Sequence, residues 1–124
     1  MAVQLNHTIV HAAEPDASAR FFSDVLGLPE PKRFGHFVVV QTANGVSLDF
    51  MASSAPQQAM HYAFLVSEAE FDEIFGRIQA RGLAYWADPS GHRPQQINHL
   101  NGGRGVYFND PAGHYLEVLT RPYE

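Results

Sequence analysis

The sequence predicts an α+β fold of two similar modules, and three observations carry that expectation. The chain nearly repeats itself: residues 38–50 (VVVQTANGVSLDF) overlay residues 106–118 (VYFNDPAGHYLEV) at an offset of 68. Val38/Val106, Gly45/Gly113 and Leu48/Leu116 are identical, and Asp49 falls on Glu117. At an offset of 54, NHTIV around His7 falls on MHYAF around His61, and each is followed by a helical stretch ending in Gly27-Leu28 or Gly82-Leu83. The order strand, helix, strands occurs twice, with no strand/helix alternation long enough for a doubly wound parallel sheet, so a largely antiparallel sheet is expected. A single domain over residues 1–124 then divides into modules at about 1–52 and 60–122, the second about fourteen residues longer.

In the first module, residues 5–11 alternate as a strand does. Pro15-Asp16 starts a helix with Asp16 as its N-cap; Phe21, Phe22 and Val25 share a face, and Gly27 is the stop. Residues 34–42 (FGHFVVVQT) and 46–51 (VSLDFM) read as strands around Ala43-Asn44-Gly45, a hairpin signal because Asn and Gly accept positive φ. The polar stretch 52–59 (ASSAPQQA) reads as the linker. Residues 61–66 form the next strand, and Ser67-x-x-Glu70 is a capping box. Phe71, Ile74, Phe75 and Ile78 recur at i, i+3, i+4 and i+7, one buried stripe. Arg77 and Arg81 suit the negative helix end, and Gly82 closes it. Residues 84–87, 105–108 and 115–120 read as strands. The polar loop 88–104, with His92, His99 and Gly102-Gly103, holds most of the extra length, and loops this long are usually functional or mobile.

Composition narrows the function classes. At 124 residues the core is real but modest, and 45% hydrophobic content with nine Phe argues for a packed chain rather than disorder. A net charge of −5 with eight Lys+Arg leaves no electrostatic footprint for nucleic acid. The lack of cysteine excludes disulfides, thiolate metal sites and a Cys nucleophile. MAVQLNH has neither the basic nor the apolar region of a secretory signal. No apolar run approaches the roughly eighteen residues that span a bilayer. The expectation is a cytoplasmic protein with no nucleic-acid or membrane partner.

Each module opens with a histidine and closes with a carboxylate. Along VSLDF, Asp49 shares a face with Ser47; along HYLEV, Glu117 shares one with Tyr115. Both acids interrupt apolar strands on the face away from the helices, where a charge is costly unless paired or bound to a cation. His7 and His61 occupy matching places in their own first strands. If the modules pack with pseudo-twofold symmetry, the four side chains converge, and two imidazoles with two carboxylates suit a borderline divalent ion. Taken singly, each is more often a satisfied histidine or a solvated acid; the matched recurrence is what favours a site.

The segments NHTIVHA, SARFFSDVLGL, SLDF, MHYAFLV and GVYFNDPAGHYLEVLTRPY together resemble the vicinal oxygen chelate superfamily, the glyoxalase/bleomycin resistance/dioxygenase group. The D-P-x-G-x-x-x-E pattern of Asp110, Pro111, Gly113 and Glu117 is the most specific part, with the L-G-L after the first helix. The resemblance implies two βαβββ modules whose mixed sheets form a metal-binding cleft, with His7, Asp49, His61 and Glu117 as ligands. It also implies a homodimer, sometimes with modules exchanged between chains, in keeping with sheet edges that need covering. Two departures stand out: the run from His7 to Ser18 is one residue longer than the common glyoxalase I spacing, and Asp49 is shorter than the Glu often found there.

A six-coordinate Mn, Fe, Co, Ni or Zn ion with four protein ligands keeps two adjacent positions for neighbouring substrate oxygens and acts on them as a Lewis acid. Glu117 or Asp49 would serve as general base. For substrate contacts the candidates are Arg104, Tyr107, His99 and Trp86, each weighed against an ordinary surface or core role. His92, like His99, could close over substrate or be a solvated loop histidine; His11 shares strand parity with His7, whereas His36 and His114 read as turn or edge histidines. Gly102-Gly103-Arg104-Gly105 lacks the features of a phosphate loop and reads as a turn. The leading expectation is a metal-dependent lyase, isomerase or thiol transferase acting on a small oxygen-bearing molecule. An extradiol-type dioxygenase is the first alternative, disfavoured because Asp49 would fill one of the three positions it needs open. A metal-free protein that sequesters a cationic antibiotic is the second.

Overall fold

The computed structural model describes residues 3–53 and 58–123; the middle of the expected linker, residues 54–57, lies outside the described residues. The chain divides into two compact units, Met1–Gln58 and Ala59–Glu124.

The first unit runs β1 (His7–Ala12), α1 (Pro15–Leu26), β2 (Lys32–Phe34), β3 (Phe37–Gln41) and β4 (Ser47–Ala52). Its sheet has the order β1-β4-β3-β2, with β1 parallel to β4 and the other pairings antiparallel. The second unit runs β5 (His61–Leu65), α2 (Glu68–Ala80), β6 (Tyr85–Trp86), β7 (Gly105–Asn109) and β8 (Tyr115–Leu119), in the order β5-β8-β7-β6 with β5 parallel to β8. Each unit is thus a βαβββ module with a mixed sheet. The parallel pair departs from a largely antiparallel sheet because a strand followed by a crossover helix returns in the same direction.

The register reproduces the sequence repeat. His7 pairs Ser47 and His61 pairs Tyr115, so each acid stands two residues beyond its histidine's partner, opposite Ile9 or Ala63. The entering hydrogen bonds match as well: Ser47 N–H donates to the Asn6 carbonyl and Tyr115 N–H to the Met60 carbonyl, both at 2.8 Å. Gly45 and Gly113 take the same left-handed conformation, φ 83° and 90°, as their turns require.

In the first unit the buried face of the sheet (Val10, Val38, Val40, Leu48, Phe50) packs on Phe22 and Val25 of α1. Phe22 meets Phe50 edge to face, centroids 4.9 Å apart. Phe71, Ile74 and Ile78 of α2 provide the corresponding stripe in the second unit, with Val106, Phe108, Leu116 and Val118 also buried. Phe75 is only half-buried.

Several local expectations are corrected. Asp16 is not the N-cap of α1: Pro15, with φ fixed for the first helical turn, takes that turn and Glu14 stands at the cap without a side-chain bond. Asp16 instead accepts both bonds from Arg33 at 3.0 Å. Residues 34–42 are not one strand, because Gly35 at φ 60° turns the chain between β2 and β3. The helix stops agree with the sequence: Leu28 N–H returns to the Ser23 carbonyl (3.0 Å) and Leu83 N–H to that of Ile78 (3.1 Å), the same six-residue closure twice. Both halves of the Ser67/Glu70 capping box form.

The long loop is tied down within its own unit. The Asp88 carboxylate accepts the N–H groups of His92 (3.0 Å) and Arg93 (2.8 Å). Buried Asn98 donates to the Ala87 carbonyl at 2.8 Å and exchanges backbone bonds with Gly105. Among the described residues, no helix is long and apolar enough to cross a membrane.

Candidate metal centre

In the second unit, strand parity brings His61, Tyr107, Tyr115 and Glu117 to the sheet face opposite α2. His61 Nδ1 lies 3.1 Å from the Tyr115 carbonyl. A carbonyl only accepts, so Nδ1 carries a hydrogen and Nε2 is the nitrogen turned to Glu117. That nitrogen stands 3.1 Å from Oε1 of Glu117, which is 2% exposed. Two electron-pair donors at this distance need a cation between them, either a second proton on the imidazole or a metal ion. The donor set therefore fits a divalent ion.

Tyr123, which the sequence reading missed, reaches the same carboxylate: its hydroxyl donates to Oε1 at 3.0 Å and to Oε2 at 3.3 Å. Tyr107 lies opposite Glu117 and stacks on His61 with centroids 6.0 Å apart. Burial first, then its hydrogen bond to Tyr123 and the Glu117 charge, push the Tyr107 phenol well above its usual range, so it stays a neutral donor.

The first unit holds a looser counterpart. His7 Nδ1 is 2.7 Å from Asn6 Oδ1. Asp49 is half-buried and accepts from the Ser47 hydroxyl at 2.7 Å. With one methylene fewer than Glu117, it engages Ser47 where Glu117 engages a histidine. Each unit contributes one histidine and one carboxylate; among the described residues, no group of three or more His, Cys, Asp or Glu is placed to hold an ion.

The substrate candidates separate. Trp86 and Tyr107 line a cavity of about 460 Å³ with Ser90, Gly91, Asn109 and Tyr115. Tyr107 and Tyr115 thus border both the cavity and His61. Arg104 is a correction. It donates to Glu68 and Asp72, each at 2.8 Å, and its guanidinium lies 4.5 Å over the Phe71 ring, so it is committed to α2 on the opposite side of the sheet. His99 is exposed at the start of the 3₁₀ turn Leu100–Gly102 and does not line the cavity.

His114 is not an edge histidine either: it is 1% exposed, and its Nδ1 accepts the Met60 N–H at 3.0 Å. Nearby Asp110, whose carboxyl burial pushes upward, accepts the His114 N–H at 2.7 Å, so the conspicuous D-P-x-G turn is built from structural bonds. His36 is exposed in its turn and His11 is half-buried on the His7 face.

Known proteins resemble this chain over most of its length. A family model described as Glyoxalase/Bleomycin resistance protein/Dioxygenase superfamily matches residues 4–118. The solved structure of Oxidase ChaP-H1 is 66% identical with a TM-score of 0.96, covering 98% of each chain. That of Oxidase ChaP-H2 is 59% identical with a TM-score of 0.97, covering 99% of this chain and 97% of the other. Glutathione transferase FosA of Serratia marcescens is 27% identical over 124 residues, 95% of this chain and 81% of FosA.

Proposed function

The chain belongs to the glyoxalase/bleomycin resistance protein/dioxygenase superfamily, and on that premise we propose that it is a divalent-metal-dependent oxidase of a small, flat substrate with neighbouring oxygens. The carrying observation is His61 Nε2, 3.1 Å from the buried Glu117 carboxylate. His7 would supply a second imidazole, and two imidazoles with one carboxylate would suit Fe(II). Asp49, which accepts from the Ser47 hydroxyl, would serve as general base toward a substrate hydroxyl. The ion, when bound, supplies Lewis-acid activation of the substrate oxygens and a meeting point with dioxygen. Trp86, Tyr107 and Tyr115 supply aromatic walls for a planar ring beside His61.

Oxidation is favoured over other chemistries by the two oxidases, similar over nearly the whole chain. Dioxygen is the oxidant: in a two-electron oxidation the substrate gives up two electrons and two protons, and hydrogen peroxide forms. With protein loaded in turn with Fe(II), Mn, Ni and Zn, a panel of catechols and larger hydroxylated aromatics should give substrate-dependent oxygen uptake with Fe(II) or Mn and none with Zn. A fully loaded protein that consumes no oxygen across the panel overturns the oxidase reading. Thiol transfer is the second reading, favoured by the FosA likeness, and glutathione loss with a set of electrophiles would select it.

The site is proposed to form in a homodimer, where a first-module sheet of one copy meets a second-module sheet of the other. Ile9, Leu65 and Tyr115, on the ligand-bearing faces, are exposed; β1 and β5 are sheet edges, and such edges need covering. Sedimentation at micromolar concentration should give a dimer; a monomer sinks this assembly.

A further inference from the structure

We propose that Tyr123 is a positioning residue of the metal centre, its hydroxyl orienting the Glu117 carboxylate so that Oε1 faces His61 Nε2. This rests on the metal reading above. A carboxylate on a flexible side chain has two equivalent oxygens and no inherent preference for the plane in which it lies. The Tyr123 hydroxyl spans both, 3.0 Å from Oε1 and 3.3 Å from Oε2. The Tyr123 hydroxyl has one proton to give, and the Glu117 carboxylate receives it. Tyr123, Glu117 and His61 therefore form one connected run of side chains.

The run Gly102-Gly103-Arg104-Gly105 explains how Tyr123 arrives there. A Cβ on Gly103 would sit 2.6 Å from both Arg121 Cγ and Thr120 Oγ1, so only glycine lets residues 120–121 cross at this height. Two bonds lock the crossing: Arg104 N–H to Thr120 Oγ1 at 2.8 Å, and Thr120 N–H to the Arg104 carbonyl at 2.9 Å. The commitment of Arg104 to α2 anchors the other side. A stretch that reads from sequence as a plain turn is the seat that carries Tyr123 to the site.

The test is Tyr123→Phe, which keeps the ring and removes one hydroxyl. Cobalt(II) binding is measured by chelator competition, with visible spectra at saturating cobalt and apo melting curves alongside. The expected result is an unchanged apo transition, an affinity lowered about tenfold, within the range typical when a group bonded to a metal ligand is lost, and altered cobalt bands. Gly103→Ala, which leaves every hydroxyl in place but denies the crossing, should lower affinity in the same direction. Wild-type affinity and spectrum in Tyr123→Phe overturn the proposal alone. If the wild-type protein takes up no cobalt, the metal reading fails and this proposal falls with it.

Discussion

Replacing His61 with alanine should lower affinity for a divalent ion by at least about 100-fold, more than the 10- to 100-fold typical of losing a ligand's supporting partner. The substitution removes the nitrogen that faces Glu117 at 3.1 Å and leaves the buried acid with the Tyr123 hydroxyl on the same oxygen. The fold should survive, because the His61 side chain is about half exposed and its backbone stays paired in β5. Loss of metal is therefore separable from loss of structure. A ligand present at 100 times its Kd stabilises the native state by about 2.7 kcal/mol. The wild-type protein should gain that margin on titration with Mn, Ni or Fe(II), and His61→Ala should gain almost none. Metal analysis after dialysis gives the second readout, and stoichiometric metal retained by His61→Ala would remove the basis for the centre.

Phe50→Ala should destabilise the first unit by roughly 3–5 kcal/mol, a large share of the 5–15 kcal/mol that holds a typical domain together. Phe50 is 0% exposed on β4, which is hydrogen-bonded to β1 on one side and β3 on the other, and its ring lies against Phe22 of α1. Truncation leaves a void among Val10, Val38 and Leu48 that rigid neighbours fill only in part. Phe50 follows Asp49 but points to the opposite face, so the change acts on packing and not on a ligand. Denaturant unfolding followed by fluorescence and circular dichroism should show an earlier transition, and His7 should lose its place as β1 detaches. A shift below about 1 kcal/mol would mean that this ring does not anchor the module.

Much of the architecture was legible because the repeat is a statement about geometry. Offsets of 54 for the histidines and 68 for the acids become the same strand register twice, because the extra length of the second module lies in its loop and each acid still stands two residues past its histidine's partner. The Ser67 box, the helix stops and the Asn44-Gly45 turn were legible because their chemistry is local. What stayed hidden depended on distance in the chain. β2 carries Lys32 and Arg33 on an exposed edge and offers no apolar alternation to read. Arg104 resembles a free cation until α2 brings Glu68 and Asp72 across from more than thirty residues away. His114 and Met60 are separated by 54 residues, and no spacing rule announces their bond. Tyr123 had no signal at all, because the close approach that delivers it depends on a glycine whose φ is ordinary and whose only requirement is room.

The twin parallel pairings also decide which kinds of genetic change the protein survives. Side chains on a strand alternate sides, so deleting a single residue inside β1, β4, β5 or β8 would swing a histidine or its acid toward the helix and bury the wrong half of the ladder. Lengthening the segment around residues 88–104 carries no such penalty, because Asp88 and Asn98 fasten it near its roots. Lineages can therefore remodel what enters the cavity through insertions while each histidine and its acid keep their register.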